Sequence, residues 1–259
     1  REVMSEHRYG DERIVDWLNQ ERDWSYPRNV PYHPRSDSHG GAQCRYFVDD
    51  LLYESDAIRE AATAGELVYQ EDYEVGEGGL SWNTDLVIGP PADSVQVSLD
   101  GDREMAQADP AEIYLAVDAK SVMTEHQKAR RNRQRDINSF ADIMHHHHEK
   151  ALTAGILLVN LAEQFDSPLR DPDDITDHVH IDRIVGEIIE MFDSINRSEG
   201  EISANLDGAG VVVVDHTNLI DDVKETELVT DSPAPQEGDR VHYRTFASQM
   251  ANWFEDRFL

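Results

Sequence analysis

The sequence predicts an α/β fold, in which a mixed central sheet is flanked by helices and extended by further elements at both ends of the chain. Residues 153–162 form a nearly continuous apolar run, which is typical of a central strand covered on both faces. Three shorter strand patterns precede this run, and apolar residues at helical spacing stand before and after them. Strands combined with helices in this way favour a sheet on which helices pack.

The N-terminal part is predicted to contain two helices separated by a loop. The first helix lies within residues 1–25, where the spacing of three residues indicates one buried face: Ile14, Trp17 and Leu18. Residues 26–43 are rich in Pro, His, Ser and Gly, so they are predicted to be a loop. The second helix is predicted at 49–64, ending at Gly65.

The predicted loop at 26–43 leans towards positive charge. Its basic side chains include Arg28, His33, Arg35 and His39. This segment either reaches over a nucleic acid or is an ordinary surface loop, and the sequence leaves both interpretations open.

The middle of the chain is predicted to form a hairpin and two more strands. In order, the elements are a strand at 66–75, a turn at 76–79, a strand ending at 85–88, an acidic excursion at 92–111, a strand at 113–122, a helix at 127–148 and the apolar strand. From residue 49 onwards the order is therefore helix, strand, strand, strand, helix, strand.

The C-terminal part adds elements to this core. They are a loop at 166–177, an amphipathic helix at 181–195, a buried strand at 210–215, an acidic loop at 224–239 and a closing helix with an aromatic face around 246–254. We expect one domain spanning residues 1–259, with its core at about 50–162, an N-terminal elaboration at 1–49 and C-terminal helices and a strand at 163–259.

The net charge of −30 is the most unusual feature of the composition. Only 4 of the 23 Lys and Arg residues are lysines, and the acids are spread along the whole chain. Such a surface resembles that of proteins from salt-loving (halophilic) organisms, whose self-repulsion is screened because the Debye length is about 3 Å at molar salt. Net charge governs solubility and association rather than fold, so nucleic acid remains open as a partner.

Several classes of protein are disfavoured by what the sequence lacks. The single cysteine, Cys44, excludes an internal disulfide and a four-cysteine zinc site, and a cytoplasmic setting is the default. No apolar run approaches the roughly 20 residues of a membrane span, so no membrane partner is expected. The sequence has no Gly-x-x-x-x-Gly-Lys loop and no Gly-x-Ser-x-Gly elbow, so we expect neither a nucleotide cofactor nor a serine hydrolase.

Two predicted strands carry charged residues where their apolar patterns end. Asp85 belongs to the hairpin, and Asp118 and Lys120 belong to the strand at 113–122. Because side chains alternate along a strand, Asp118 and Lys120 point to the same face. Two carboxylates suit a Mg²⁺ ion, which polarises a phosphate and lowers the pKa of bound water. The alternative is a solvated strand end with an ordinary ion pair.

The Asp85, spacer, Asp118-Ala119-Lys120 pattern, set in this order of elements, resembles the PD-(D/E)xK nuclease superfamily, which includes many restriction endonucleases. The resemblance covers about residues 50–162 and implies a restriction-endonuclease-like sheet. It also implies that Asp85 and Asp118 bind metal, that the Ala119 carbonyl can join them, and that Lys120 activates water or stabilises charge.

Two details of the resemblance concern neighbouring positions. Thr84 stands where the family often has proline, a position that the family keeps only loosely. An acid from the first helix of the core sometimes joins the site in this family, and Glu54 and Glu60 are the candidates here.

The predicted helix at 127–148 begins with a cationic cluster. Residues 126–135 hold 5 of the 23 Lys and Arg side chains and no acid. The candidate nucleic-acid-binding residues are Lys128, Arg130, Arg131, Arg133, Gln134 and Arg135. We expect Arg130 and Arg133 to face the site, because they extend the apolar face of the helix backwards and arginine suits bidentate phosphate contact. The alternative is a structural helix whose arginines pair with the many acids.

Four consecutive histidines, residues 145–148, lie near the end of this helix. Only helical residues three or four apart converge, so the tract does not form a four-ligand metal site. Histidine near a helix C-terminus also interacts favourably with the helix dipole, which is the preferred interpretation.

Together these features predict a Mg²⁺-dependent DNA endonuclease of restriction type, with Mn²⁺ as an alternative ion. A homodimer would suit cleavage of both strands. Two alternatives stay open: a non-catalytic nucleic-acid-binding or protein-interaction module on the same fold, and a metal-dependent hydrolase that acts on RNA or small molecules.

Overall fold

The computed structural model describes residues 6–25, 38–92, 99, 104–171, 174–219 and 224–259, with only the backbone described at 22–25. The helices are α1 (Gly10–Ser25), α2 (Ser38–Glu54), α3 (Asp56–Thr63), α4 (His126–His147), α5 (Ile181–Asp193) and α6 (Tyr243–Phe258). The strands are β1 (Val68–Glu77), β2 (Leu80–Gly89), β3 (Ala106–Gln107), β4 (Leu115–Val122), β5 (Leu152–Asn160), β6 (Gln164–Phe165), β7 (Thr176–Asp177), β8 (Gly208–Asp215) and β9 (Glu227–Leu228).

Within the described residues, seven strands form one mixed sheet in the order β3-β1-β2-β4-β5-β8-β9. β1 and β2 form the predicted antiparallel hairpin, and β2 runs antiparallel to β4. β4, β5 and β8 are parallel to one another, and the short β9 closes that side in an antiparallel sense. The predicted α/β class with a mixed central sheet flanked by helices is confirmed.

Helices cover both faces of this sheet. α1, α2, α3 and α6 pack on one face, and α4 and α5 pack on the other. β5 is buried along its whole length, as predicted from its apolar run. Alternate residues of β4 serve the two layers: Val117 packs with the α2 side and Ala116 with the α4 side. By the same alternation, Asp118 and Lys120 lie on the α4 side.

The core face of α4 is also as predicted. Its buried residues include Ile137, Phe140, Ala141 and Met144. Ile137 reaches the backbone of β5 because position 155 is glycine; a Cβ there would lie 3.2 Å from Ile137 Cδ1. The apolar part of α4 is therefore fixed on the sheet, while its polar first turns continue past the end of β4.

The region before the hairpin differs from its prediction. α2 begins at Ser38, so the predicted loop is wrong for residues 38–43, and residues 26–37 lie outside the described part of the chain. Gly40 and Gly41 are poor helix formers, but helical stability comes mainly from packing. A Cβ on Gly40 would lie only 3.7 Å from the Cβ of Ala119, which shows how closely the first turn of α2 approaches β4.

The predicted single helix at 49–64 is two helices, divided at Ser55. The Ser55 Oγ accepts a hydrogen bond from the Ile58 N–H at 3.1 Å and so caps α3. Serine is a favoured residue at this capping position. A capping signal inside a longer apolar pattern was therefore missed.

Short strands lie in segments predicted as irregular. β3 lies in the predicted acidic excursion, of which residues 93–98 and 100–103 are outside the described part, and β7 and β9 lie in predicted loops. Two-residue strands carry no readable alternation, so their pairing depends on neighbours distant in sequence. No helix in the described ranges combines the length and apolar character that a membrane crossing requires.

Candidate active site

The side chains of the β1–β2 hairpin change to the other face of the sheet near the middle of its strands. Leu86 packs on the α2 side of the sheet, whereas Trp82 packs on the α4 side, although both occupy even positions of one strand. The change coincides with Asp72, whose φ is +50°, and the ladder of the hairpin skips Asp72 and Asp85. This irregularity brings Trp82 to the face of the sheet that carries Asp118.

β2 and β4 separate at the same level. Their ladder ends at Val117, and two side-chain hydrogen bonds bridge the strands beyond it. The Thr84 hydroxyl donates to the Val117 carbonyl at 2.8 Å, and the Ala119 N–H donates to Asp85 Oδ2 at 2.6 Å. The carboxylate of Asp85 therefore sits in a fork between two strands and is held by the backbone of β4.

Asp118 lies beneath this fork and is 0% exposed. Its Oδ1 accepts hydrogen bonds from Lys120 Nζ at 2.8 Å and from Trp82 Nε1 at 3.4 Å. Its Oδ2 has no hydrogen-bond partner among the described residues. Burial raises the pKa of Asp118 to about 7; Lys120 acts against this shift, and the negative charge of Asp85 adds to it.

Lys120 is the positive partner of this acid. Burial acts to lower the pKa of Lys120, but the charge of Asp118 and the hydrogen bond to it outweigh burial, so the pKa lies above its ordinary value. Lys120 therefore holds its proton at neutral pH. In this arrangement it supplies positive charge and N–H donors rather than a free base.

An open cleft of about 840 Å³ lies above Asp85 and Lys120, beyond the carboxyl end of β4. Ligands commonly bind at this end of parallel strands. The cationic side chains that line the cleft come from three elements: Lys120 of β4, Lys128 and Arg133 of α4, and Arg170 of the loop after β6. The acidic lining residues are Asp85, Glu125 and Asp136. The cleft thus mixes both charges inside a strongly acidic protein.

The cationic cluster of α4 is divided between the cleft and other surroundings. Lys128 and Arg133 line the cleft, and Arg133 Nε donates to the Ser121 carbonyl at 3.1 Å. The expectation that Arg130 faces the site is wrong, because Arg130 Nη1 pairs with Glu187 of α5 at 2.6 Å.

The remaining members of the α4 cluster do not line the cleft. Arg131 and Arg135 are exposed on the outer side of the helix, and Arg135 Nη2 donates to the Asn132 side chain at 3.4 Å. Gln134 is half-buried outside the cleft lining. Their predicted role would therefore be on a surface beside the cleft rather than within it.

The helical residue at the cleft is a histidine rather than an acid. Glu54 accepts a hydrogen bond from the Tyr9 hydroxyl, Glu60 is exposed, and neither lines the cleft. The cleft is instead lined by His39, a buried residue in the first turn of α2. Trp82 also lines it. Trp82 was missed as a site residue because the change of sheet face in the hairpin was not predicted. His39 was predicted only within a loop that could reach over a nucleic acid, because the N-terminus of α2 was not predicted.

A divalent ion finds only a small set of oxygen ligands here. No group of three or more His, Cys, Asp or Glu side chains in the described ranges is arranged to hold a metal ion. Mg²⁺, however, keeps several waters and usually takes one or two carboxylates. Asp85 lines the cleft, whereas Asp118 is buried beneath it and is not one of the lining residues. Together the two carboxylates would meet that requirement, with Asp118 Oδ2 as a buried oxygen that has no hydrogen-bond donor in the described part of the protein.

The histidine tract is part of the packing around α4. His145 is buried, and its Nε2 lies 3.0 Å from the Asn205 carbonyl oxygen. His147 Nε2 lies 2.8 Å from the Leu80 carbonyl oxygen at the hairpin turn. These contacts tie the end of α4 to the hairpin and to the segment before β8.

No protein family, characterised protein or solved structure matches this chain. The function of the cleft is therefore inferred from its own geometry and chemistry.

Proposed function

We propose that this protein is a Mg²⁺-dependent DNA endonuclease of the PD-(D/E)xK type. The observation that carries the proposal is the meeting of Asp85, Asp118 and Lys120 at one fork in the sheet, beside a cleft to which four cationic side chains contribute. The three residues lie on two strands and are separated by up to 35 positions in sequence.

The topology supports a restriction-endonuclease-like core. A helix precedes the antiparallel hairpin of β1 and β2, and β4 is antiparallel to β2. Helix α4 then leads to β5, which is parallel to β4. This is the order of elements expected for the superfamily. Here α2 and α3, β1, β2, β4, α4 and β5 fill these places.

The site residues suit phosphodiester hydrolysis. A bound Mg²⁺ would polarise the phosphate and lower the pKa of an attacking water, and Asp85, Asp118 and the Ala119 carbonyl would hold it. The backbone N–H of Ala119 fixes Asp85, so this carboxylate is oriented before any ligand arrives. Lys120 keeps its proton and would stabilise negative charge that develops on a phosphate oxygen.

The surroundings of the site suit a polyanion. In a chain of net charge −30, the cleft still gathers Lys120, Lys128, Arg133 and Arg170. Arg131 and Arg135 extend positive charge along the outer side of α4. Arginine and lysine contacts with phosphates supply most sequence-independent affinity for DNA, so α4 is the proposed DNA-binding element.

The test is incubation of supercoiled plasmid with the protein in molar KCl, with Mg²⁺, with Mn²⁺ and with EDTA. We expect nicked or linear products only with a divalent ion, and none from an Asp118→Ala/Lys120→Ala variant. Cleavage that the double variant retains would contradict the proposed centre.

A second candidate is a non-catalytic nucleic-acid-binding module. It is favoured by one observation: Asp118 is fully buried and Lys120 is bonded to it, so these two residues already form a closed pair. DNA binding by the wild-type protein without cleavage under any metal condition would support this alternative.

A further inference from the structure

We infer that Trp82 is a positioning residue for the proposed centre: its indole N–H fixes Asp118 through Oδ1 and leaves Oδ2 for a metal ion. The inference deepens the proposed function and rests on it. Trp82 carries no charge and is not a member of the Asp-x-Lys pattern.

The Asp118 carboxylate is held by two neighbouring side chains. Within the described part of the chain, both of its hydrogen-bond donors, Lys120 Nζ and Trp82 Nε1, are side chains, and both reach Oδ1. Asp85, by contrast, accepts a backbone N–H. A carboxylate held by side chains depends on how firmly those side chains are held.

The two hydrogen-bond donors differ in how firmly they are held. Lys120 has a flexible stem and three equivalent N–H donors, and it must contact the phosphate or water in the proposed reaction. Trp82 is a rigid ring that packs near Phe140 of α4, with ring centroids 6.4 Å apart. Trp82 therefore still holds Asp118 when Lys120 turns to the substrate.

The indole lies at the wall of the cleft, next to the acid–lysine pair. Trp82 lines the cleft, and Lys120 Nζ lies 5.9 Å from its ring centroid. The indole thus contacts both members of the acid–lysine pair. It reaches this position only because the hairpin turns over between Trp82 and Leu86.

The experiment compares Trp82→Phe with a matched Trp253→Phe control. Phenylalanine keeps an aromatic ring but lacks the N–H, and Trp253 lies on α6, on the opposite face of the sheet. The protein has four tryptophans, so each variant retains three. Mn²⁺ is titrated at constant molar KCl while tryptophan fluorescence is recorded, and free Mn²⁺ is measured by electron paramagnetic resonance.

We expect Mn²⁺, a short-range paramagnetic quencher, to quench wild type and Trp253→Phe to a similar saturable extent, and Trp82→Phe much less. Loss of the indole N–H, which makes a long hydrogen bond of 3.4 Å to the Asp118 carboxylate, should weaken Mn²⁺ binding by Trp82→Phe about two- to tenfold. Plasmid cleavage by Trp82→Phe should return towards the wild-type rate as Mn²⁺ is raised, which a general folding defect would not show.

The outcomes separate the two proposals. Equal Mn²⁺ affinity in wild type and Trp82→Phe would overturn the role of Trp82 and leave the nuclease proposal standing. Absence of saturable Mn²⁺ binding by wild type would overturn both. A second measurement uses wild type alone. On Mg²⁺ addition, the ¹⁵N-indole resonance of Trp82 should shift more than the indole resonances of the other three tryptophans. An unmoved Trp82 resonance would overturn the inference.

Discussion

Replacing Asp118 with asparagine should remove a specific pH dependence from the stability of the protein. The asparagine side chain would keep an oxygen acceptor for Lys120 and Trp82 but could not ionise. The wild-type carboxyl is fully buried, and burial raises its pKa from 3.8 to about 7. The folded protein therefore holds a proton between these values that the unfolded chain releases.

The sign and the size follow from this difference. Because the folded state binds the proton more tightly, the contribution of Asp118 to stability is greatest at low pH and is lost as the pH rises towards 7. Because a tenfold change in proton affinity corresponds to about 1.36 kcal/mol, the rise of the Asp118 pKa from 3.8 to about 7 corresponds to roughly 4 kcal/mol in all. Between pH 5 and pH 8 the expected loss is roughly 2–3 kcal/mol.

The measurement is urea unfolding of wild type and Asp118→Asn at pH 5, 6, 7 and 8 in constant molar KCl. The difference in unfolding free energy between the two proteins cancels groups that they share. We expect this difference to move in favour of the variant by roughly 2–3 kcal/mol over the range. A difference that stays constant, or that moves in favour of wild type as the pH rises, would refute the reasoning.

Three further predictions concern the cleft and its supports. Arg133→Ala should weaken DNA binding and lower the slope of log affinity against log salt concentration by about one. Arg130→Ala should leave that slope unchanged. Fluorescence anisotropy with labelled duplex DNA measures both. Thr84→Val should lower the unfolding free energy by about 1–3 kcal/mol, because the buried Val117 carbonyl loses its hydroxyl donor; urea unfolding measures this, with Thr84→Ser as the control. Burial lowers the pKa of His126 from 6.5 to about 4. The contribution of His126 to stability should therefore be lost as the pH falls from 6.5 to 4, by about 3 kcal/mol in all. Urea unfolding from pH 7 to 4.5 should show this loss in wild type and not in His126→Gln.

Each of these predictions has a distinct contrary outcome. A salt slope that falls equally in both arginine variants would mean that α4 binds DNA through its whole cationic cluster. A Thr84→Val protein as stable as Thr84→Ser would show that the fork needs no bridging bond. For the histidine variant, an acid sensitivity equal to that of wild type would contradict the account of His126.

The strands and helices with strong periodic patterns could be predicted from the sequence. β5 has apolar residues at nearly every position, and α5 repeats them at helical spacing, so burial alone dictates both elements. The hairpin was predictable for a different reason, since its glycine-rich turn separates two strand patterns. The convergence of Asp118 and Lys120 required only the alternation of a strand.

Other parts depended on contacts that no local pattern contains. Gly40 and Gly41 are helical in the first turn of α2 because this turn packs against Ala119, about 80 positions away in sequence. Arg130 turns from the cleft because Glu187 of α5 lies within reach. The role inferred for Trp82 depends on a change of strand face near Asp72. The positive φ of Asp72 could not be predicted from the identity of that residue.

The most direct test of the central claim is the Mg²⁺-dependent rate of plasmid cleavage by wild type relative to Asp85→Asn at saturating metal. Asp85 is fixed in the strand fork by the Ala119 N–H, and in the proposed chemistry its negative charge would hold the metal ion. We expect the rate to fall by about a hundredfold or more, because the metal ion that Asp85 is proposed to hold would no longer be placed to stabilise the charge that develops in the transition state. Equal rates for the two proteins would contradict the account.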